Sequence, residues 1–137
     1  MQNKIEFFYE CKIPTATAQQ RMFFKTGGSA LPANAKKARA FWIALMEKYK
    51  PKEKIKGAIK VKIDFNFTKK NLVPGEIKPK TTRPDLDNLT KFVLDAMTKT
   101  GYFEDDAKIS NLEISKVWNY YGGVYVKVEN IDQENTR

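Results

Sequence analysis

The 137-residue chain contains no histidine and a single cysteine, Cys11. Without histidine it has neither a Ser–His nor a Cys–His nucleophilic pair, and it lacks an ordinary zinc ligand set. One cysteine cannot form an internal disulfide. If the protein catalyses hydrolysis, it must therefore activate water by another route.

Long apolar runs are missing as well. The longest unbroken apolar segment is far shorter than the roughly 20 residues needed to cross a membrane, and the first residues lack the charged-then-apolar order of a signal peptide. We therefore expect a cytoplasmic protein with no membrane partner and no small-molecule substrate. The length fits a single domain over residues 1–137, with residues 131–137 forming a frayed polar tail.

Positive charge is abundant and unevenly distributed. The net charge is +9; residues 1–80 carry 18 Lys and Arg against 6 Asp and Glu, whereas residues 81–137 carry 7 against 10. A basic body of this kind attracts polyanions. Nucleic acid is the usual polyanion of the cytosol, although an anionic membrane surface or a ribosome would also satisfy the charge.

Hydrophobic periodicity predicts six elements in the order β-α-β-α-β-β. Strands are expected at residues 4–13, 58–67, 108–121 and 124–131, and helices at 34–50 and 87–100. This order predicts a single α+β domain with its helices packed on a mixed, mostly antiparallel sheet. Gly122-Gly123 predicts a hairpin turn between the last two strands. The lost alternation near Lys116 and Val117 predicts a bulge or an edge there.

Two loops and one helix face concentrate the cations. The polar segment 68–84 is unusually long for an unstructured connection, which suggests a use for it. We expect it to contact DNA phosphates, with the first helix as a second choice. Cations beside Phe23 and Phe24 in the segment 14–33 can clamp phosphates and bases, although such phenylalanines are more often core anchors. The candidate DNA-binding residues are Lys69, Lys70, Lys78, Lys80, Arg83, Lys36, Lys37, Arg21 and Lys25.

The segment RPDLDNLTK places two carboxylates at the start of the second predicted helix. Asp87, Lys91 and Asp95 follow at four-residue steps and therefore share one helix face. A purely structural explanation is available, in which Asp87 is the N-cap and pairs with Lys91. It accounts less well for Asp85. Leu94 falls on the same polar face, which suggests a second packing partner such as another subunit.

A second acidic group lies in GYFEDDAK, where Glu104, Asp105 and Asp106 repel one another unless a cation neutralises them. A solvated acidic turn is the simpler explanation. The helix is about 18 Å long, and the seven steps that follow it can span about 25 Å when extended. Asp106 can therefore rejoin Asp85 and Asp87 if the chain runs straight back. The three carboxylates would form an oxygen-only site suited to Mg²⁺ or Mn²⁺, with the Lys91 ammonium offsetting transition-state charge.

The stretch RPDLDNLTKFVLDAMTKTGYFEDDAKIS resembles the signature of the RusA family of Holliday-junction resolvases, over about residues 81–116. The resemblance implies a Mg²⁺-dependent homodimeric endodeoxyribonuclease of recombination and repair that nicks four-way junctions in pairs. It also implies that Asp85, Asp87 and Asp106 bind the metal, that Lys91 is needed for catalysis, and that Asp105 is accessory. The segment IPTATAQQR departs from the Pro-rich, Asn-containing segment usual in the family.

Two other functions are compatible with the same residues. The protein could bind branched DNA or RNA without cutting it, with the carboxylates acting only as cap and turn. Alternatively, the same acidic site could serve a ribonuclease or a flap nuclease. All of these would bind more weakly at high salt, because phosphate contacts release counterions; salt dependence therefore does not distinguish them.

Overall fold

The computed structural model describes residues 2–16, 22–23, 29–30 and 32–132. The elements in this part of the chain are β1 (Lys4–Glu10), β2 (Met22–Phe23), β3 (Ser29–Ala30), α1 (Ala33–Tyr49), β4 (Ile59–Phe67), β5 (Ile77–Pro79), α2 (Leu86–Thr100), a 3-10 turn (Asp106–Lys108), β6 (Ile109–Asn119) and β7 (Gly123–Asn130). The described helices include none that is both long and apolar enough to cross a membrane.

Five strands form one mixed sheet in the order β1-β7-β4-β6-β5. The pairing is antiparallel except between β4 and β6, which run parallel. Strands β2 and β3 pair separately as a short hairpin. The predicted α+β class and the mixed sheet are confirmed, and the six predicted elements occur in the predicted order; the short strands β2, β3 and β5 were not predicted.

The core lies between the two helices and one face of the sheet. Strand β4 alternates as expected, because every second residue from Ile59 to Phe67 is buried. Helix α1 contributes a fully buried Trp42, whose ring packs edge-on against Phe65 with centroids 5.8 Å apart. Helix α2 packs against α1 and buries Leu89 and the apolar residues that follow it at helical spacing. Each helix buries one stripe of residues against the core, and this packing sets the position of α2 relative to the sheet.

The opposite face of the sheet is polar and carries paired charges. Glu113 lies 3.0 Å from the Lys62 ammonium and 3.7 Å from that of Lys60, and Lys127 lies 3.2 Å from Glu129. These exposed pairs raise the pKa of Lys62 and lower the pKa of Glu113, chiefly through their mutual hydrogen bond. The cations of this face therefore have protein partners already.

The predicted hairpin between the last two strands is wrong. Strand β4 lies between β6 and β7, so the turn at Gly122-Gly123 carries the chain across the end of β4. The crossing is tight: the amide of Cys11 donates to the Gly122 carbonyl (3.2 Å), and a Cβ on Gly123 would lie 2.4 Å from the Tyr9 carbonyl oxygen. Glycine permits this close approach, which is a different use from a two-residue hairpin.

The loop 68–84 is not wholly irregular, because its residues 77–79 form β5 and pair with the end of β6. The strand irregularity predicted near Lys116 lies instead opposite the Ile59–Lys60 step, where Ser110 is passed over in the pairing with β6. The alternation is lost near Lys116 because this cation lies on the helix side of the sheet, opposite Phe65, where it donates to the carbonyls of Thr82 and Pro84. The helices begin one residue earlier than predicted, at Ala33 and Leu86.

Candidate active site

Two carboxylates lie at the start of α2, and neither forms a salt bridge with a described residue. Asp85, not Asp87, is the N-cap: it is extended, and its carbonyl accepts from the Leu89 amide at 3.0 Å. Its carboxylate makes no capping hydrogen bond. Asp87 follows in the first turn and is exposed. The helix dipole favours anions at this end, yet both side chains remain free for a ligand.

Asp87 and Lys91 lie one helical turn apart and line the same cavity, of about 650 Å³, between α2 and β6. Both are exposed. Among the described residues no salt bridge involves either of them. The structural explanation for this pair, a stabilising ion pair along the helix, is therefore not realised. An anion and a cation face the same open space without neutralising each other.

The apolar wall of this cavity belongs to the uncovered margin of the core. Leu112 lies opposite Val61 in the sheet and so points to the helix side, yet 46% of its surface is exposed. Leu94 lines the cavity and is half-buried, as its position on the polar helix face suggested. Helix α2 therefore does not reach across the full width of β6, and the gap lies beside Asp87.

The second acidic group lies at the 3-10 turn that leads into β6. The Asp105 carboxylate accepts from the Ala107 amide at 3.3 Å, which caps the turn. Its hydrogen bond with Asp106 raises the pKa of Asp106, and burial and the charges of Asp105 and Asp95 raise it further. The same bond lowers the pKa of Asp105. The Asp105 and Asp106 carboxylates therefore share one proton, as two crowded carboxylates do when no cation neutralises them.

The two acidic groups do not meet in the way that an extended return would require. Gly101 ends α2 in the left-handed conformation, with φ 95°. Tyr102 and Phe103 then enter the core and are fully buried, so the chain turns before it reaches Asp106. Asp106 experiences the charge of Asp95, two turns along α2 from Asp87. Within the described residues no three Asp, Glu, Cys or His side chains are grouped closely enough to hold a metal ion.

Asn88 adds a further oxygen that the sequence did not single out. It is buried, with 4% of its surface exposed, and its Oδ1 has no hydrogen-bond partner. A buried polar atom without a partner is uncommon and costly. Its only sequence signal was its place directly after Asp87, in a helix turn where asparagine is ordinarily solvated. Because this oxygen is buried while the Asp85 and Asp87 side chains are exposed, only the two carboxylates offer a metal ion the oxygen donors that Mg²⁺ prefers.

The basic residues gather around a second cavity, of about 730 Å³. It lies beyond one end of the sheet, where strands β1, β4 and β6 stop. Lys69, Lys70, Lys80 and Arg83 line it. Three of these are exposed as predicted, but Lys80 is buried, with 7% of its surface accessible.

The remaining predicted DNA-binding residues are elsewhere. Lys78 is exposed on β5, with its ammonium 3.5 Å from Glu76. Lys36 and Lys37 are exposed in the first turns of α1. Arg21 and Lys25 lie outside the residues that the structure describes.

Lys116 links β6 to the segment that precedes α2, a role that was not predicted. Its ammonium donates to the carbonyls of Thr82 (2.7 Å) and Pro84 (2.8 Å). These two residues flank Arg83, and Pro84 immediately precedes Asp85. Together with the backbone hydrogen bond from the Lys80 amide to the Lys116 carbonyl (3.1 Å), this side chain holds the segment to β6.

Comparison with known proteins gives the same family as the motif. A model of the endodeoxyribonuclease RusA family matches residues 13–129. A protein of Lactococcus phage r1t, named crossover junction endodeoxyribonuclease rusA, is 36% identical over 121 residues, covering 83% of this chain and 88% of the phage protein. The family match extends well beyond the motif at residues 81–116 and includes every element from α1 to β6. The chain therefore belongs to the RusA family of endodeoxyribonucleases.

Proposed function

We propose that this endodeoxyribonuclease resolves four-way DNA junctions by paired nicks and requires a divalent metal, Mg²⁺ or Mn²⁺. The observation that carries the proposal is the start of α2, where the side chains of Asp85, Asp87 and Lys91 form no salt bridge with any described residue and the Asp85 carboxylate makes no capping hydrogen bond. Charged groups left unpaired and exposed beside a cavity are available to a substrate.

Asp85 and Asp87 would hold the metal. Mg²⁺ commonly takes one or two protein carboxylates and completes its shell with water and substrate phosphate, so these two are sufficient to begin a site. A bound Mg²⁺ supplies polarisation of the phosphodiester and a nucleophile from water at neutral pH. Lys91 would face the same phosphate from one turn further along α2 and offset the negative charge that grows on its oxygens.

Asp106 would be a further metal ligand, with Asp105 accessory to it, although the described chain does not gather them into one group with Asp85 and Asp87. Asp105 and Asp106 are hydrogen-bonded to each other and the pKa of Asp106 is raised, so a cation bound there would relieve the repulsion between them. Its 3-10 turn contacts α2. The cations of the loop between β4 and α2, together with Lys36 and Lys37 and with Arg21 and Lys25, would hold the DNA backbone by phosphate contacts.

Paired nicking needs two copies of the chain, because a junction has two equivalent strands and each chain carries one candidate site. We propose a homodimer in which Leu94 and Leu112, the apolar wall beside Asp87, are covered by the second copy. Leu112→Glu replaces a largely exposed side chain, so the variant should fold normally and sediment as a monomer. A wild-type monomer at micromolar concentration would contradict the dimer. We expect the enzyme to act in the cytoplasm, on branched intermediates of recombination or repair.

The decisive experiment compares a labelled four-way junction with a linear duplex of the same sequence. Wild type, Asp87→Asn and the control Glu53→Gln are each assayed with Mg²⁺ and with EDTA. Glu53 is exposed in the connection between α1 and β4, so its substitution changes the same charge at a remote place. We expect paired nicks on the junction from wild type and Glu53→Gln with Mg²⁺ only, and none from Asp87→Asn.

Binding is measured in parallel by fluorescence anisotropy in EDTA. Asp87→Asn should bind the junction at least as well as wild type, because one anion near the phosphates is removed. Tight binding by wild type without cleavage under any divalent metal would overturn the proposed reaction and leave a junction-binding protein. Equal cleavage by Asp87→Asn and wild type would remove Asp87 from the site.

A further inference from the structure

The basic cavity differs in chemistry from the candidate active site. Its wall includes Ile13, Phe67 and Trp118, and five cationic side chains line it with Glu10 as the only carboxylate in its lining: Lys12, Lys69, Lys70, Lys80 and Arg83. Its volume of about 730 Å³ lies within the range of about 300–1,000 Å³ usual for small-ligand sites. A cavity lined by both cations and apolar groups can contact a nucleotide through its phosphate and through its base.

Two ammonium groups are held over the same indole ring. The Nζ of Lys80 lies 4.1 Å from the centroid of Trp118 and 5.1 Å from that of Phe67, and the Nζ of Lys69 lies 4.5 Å from the Trp118 centroid. The attraction of a cation to an aromatic face partly offsets the cost of removing it from water. Trp118 therefore positions both charges, although they repel each other.

Lys80 remains poorly satisfied in spite of this arrangement. Its one hydrogen bond goes to the Thr82 hydroxyl at 2.6 Å, whereas an ammonium has three protons to donate. Burial, and then the charges of Lys116 and Lys69, lower the pKa of Lys80. An anion in the cavity would relieve both the burial cost and the repulsion.

The one carboxylate among the described lining residues, Glu10, does not pair with the cations of the cavity. None of the five cavity cations forms a salt bridge with any described residue, in contrast with Lys60, Lys62 and Lys127 on the open face of the sheet. Evenly matched charges elsewhere on the same sheet make this excess a local property of the cavity. The partner expected for it is a polyanion that also carries flat apolar groups.

We propose that this cavity receives one unstacked nucleotide of the DNA substrate, with its phosphate on Lys69 and Lys80, which the Trp118 ring holds in place, and its base in the remaining space of the cavity. This inference rests on the proposed function and extends it, because it assigns a second contact next to the scissile site. Lys80 precedes Asp85 by five residues, and Lys116 ties that segment to β6. Filling the cavity would therefore fix the strand relative to Asp85.

The cavity also gives a physical reason for preferring branched DNA. A base enters it only after leaving its stack, which costs a few kcal/mol in a duplex and least where a base is already unpaired or poorly stacked. Bases at the exchange point of a junction have lost continuous stacking on one side. Binding in this cavity would therefore raise the affinity for a junction more than the affinity for a linear duplex, without contacts to base edges in a groove.

The test places 2-aminopurine, whose fluorescence rises when it unstacks, at each position flanking the exchange point in turn. Wild type, Lys80→Met, Trp118→Leu and Trp118→Phe are added in EDTA, so that the junction is bound and uncut. Lys54→Met is the matched control, since Lys54 is exposed and remote in the connection between α1 and β4. Thermal unfolding of each variant verifies folding, and Lys80→Met should be at least as stable as wild type because a desolvated charge is lost.

We expect fluorescence to rise at one position with wild type, Lys54→Met and Trp118→Phe, and to stay low with Lys80→Met and Trp118→Leu. The last two should also prefer the junction over the duplex about tenfold less than wild type, because each loses the contact with the unstacked nucleotide. A rise that persists in both Lys80→Met and Trp118→Leu, or that wild type never produces, would overturn the proposal. If Trp118→Leu fails to fold, Lys80→Met decides the matter, and a rise that persists in that variant overturns the proposal.

Two further measurements are made. The first distinguishes a free nucleotide from a DNA strand as the ligand of the cavity, and the second distinguishes failure of this inference from failure of the proposed cleavage reaction. Free deoxycytidine monophosphate is titrated against wild type while tryptophan fluorescence is followed, with Trp118→Phe as the blank; saturation at micromolar concentration would show a site for free nucleotides and overturn the assignment to a DNA strand. Cleavage with Mg²⁺ is scored on the same junctions. A cavity-dependent rise without cleavage would support this cavity while the proposed reaction fails, and cleavage without such a rise would do the reverse.

Discussion

Replacing Lys116 by methionine should damage the reaction more than it damages the fold. The change keeps the apolar stem of the side chain and removes two hydrogen bonds, one to the exposed carbonyl of Thr82 and one to the partly buried carbonyl of Pro84. Hydrogen bonds from charged groups contribute about 1.5–3 kcal/mol each when buried and less when water competes. Removing Lys116 also relieves its repulsion of Lys80.

These contributions together predict a loss of about 1–2 kcal/mol in the free energy of unfolding, which for a domain of this size lowers Tm by about 3–8 °C. The effect on cleavage should be larger, because the segment released carries Asp85, and a misplacement of about 1 Å at a reacting centre can reduce the rate about 100-fold. Single-turnover cleavage should therefore fall about 10- to 100-fold, while the junction Kd changes little.

Thermal unfolding by circular dichroism and single-turnover cleavage of a junction measure the two effects separately. Lys116→Arg should restore much of the rate, because a guanidinium can donate to both carbonyls. Lys56→Met, at an exposed lysine far from the site, controls for the lost charge. Wild-type cleavage by Lys116→Met would refute the view that this side chain sets the position of Asp85.

Three further predictions concern the fold and its titrating groups. Burial raises the pKa of the Cys11 thiol to about 11, so alkylation near pH 8 should be about 100-fold slower than in urea and should quicken as pH rises; equal rates would contradict this. Tyr102→Phe removes the buried hydroxyl that donates to the Met46 carbonyl at 2.8 Å and should cost about 1–2 kcal/mol in chemical denaturation; an unchanged midpoint would refute that contribution. Glu113→Gln should slightly lower Tm at neutral pH, and the difference from wild type should vanish as pH falls through the lowered pKa of Glu113, because protonation then removes its attraction to Lys62; a difference that persists in acid would point to another cause.

Local periodicity predicted the elements well, and it predicted least about which elements meet. The alternation from Ile59 to Phe67 and the apolar spacing of the helices depend on neighbours two to four residues away, so the sequence displays them directly. The position of β7 between β1 and β4 depends on pairing across the whole chain. Gly122-Gly123 therefore predicted a turn correctly and its hairpin wrongly.

The same distinction separates the site residues that were predicted from those that were not. Asp87 and Lys91 share a helix face because of their spacing, and in the structure both line the same cavity. The place of Asp106 depends on the burial of Tyr102 and Phe103, which diverts the chain. Lys80 was expected in an exposed loop; it is buried because Trp118, thirty-eight residues later, covers it, and no local pattern reveals such a contact.

The strand order has a consequence for how the protein is made. Strand β4 is hydrogen-bonded only to β6 and β7 in the described sheet, so a nascent chain that has emerged as far as α2 has a finished central strand without either neighbour. Long-range pairing of this kind is slow and leaves edges exposed while it waits. We expect chains truncated before β7 to aggregate or to be degraded rather than to fold in part. The basic cavity, which needs the ends of β1, β4 and β6 together, forms only after β6 has been synthesised.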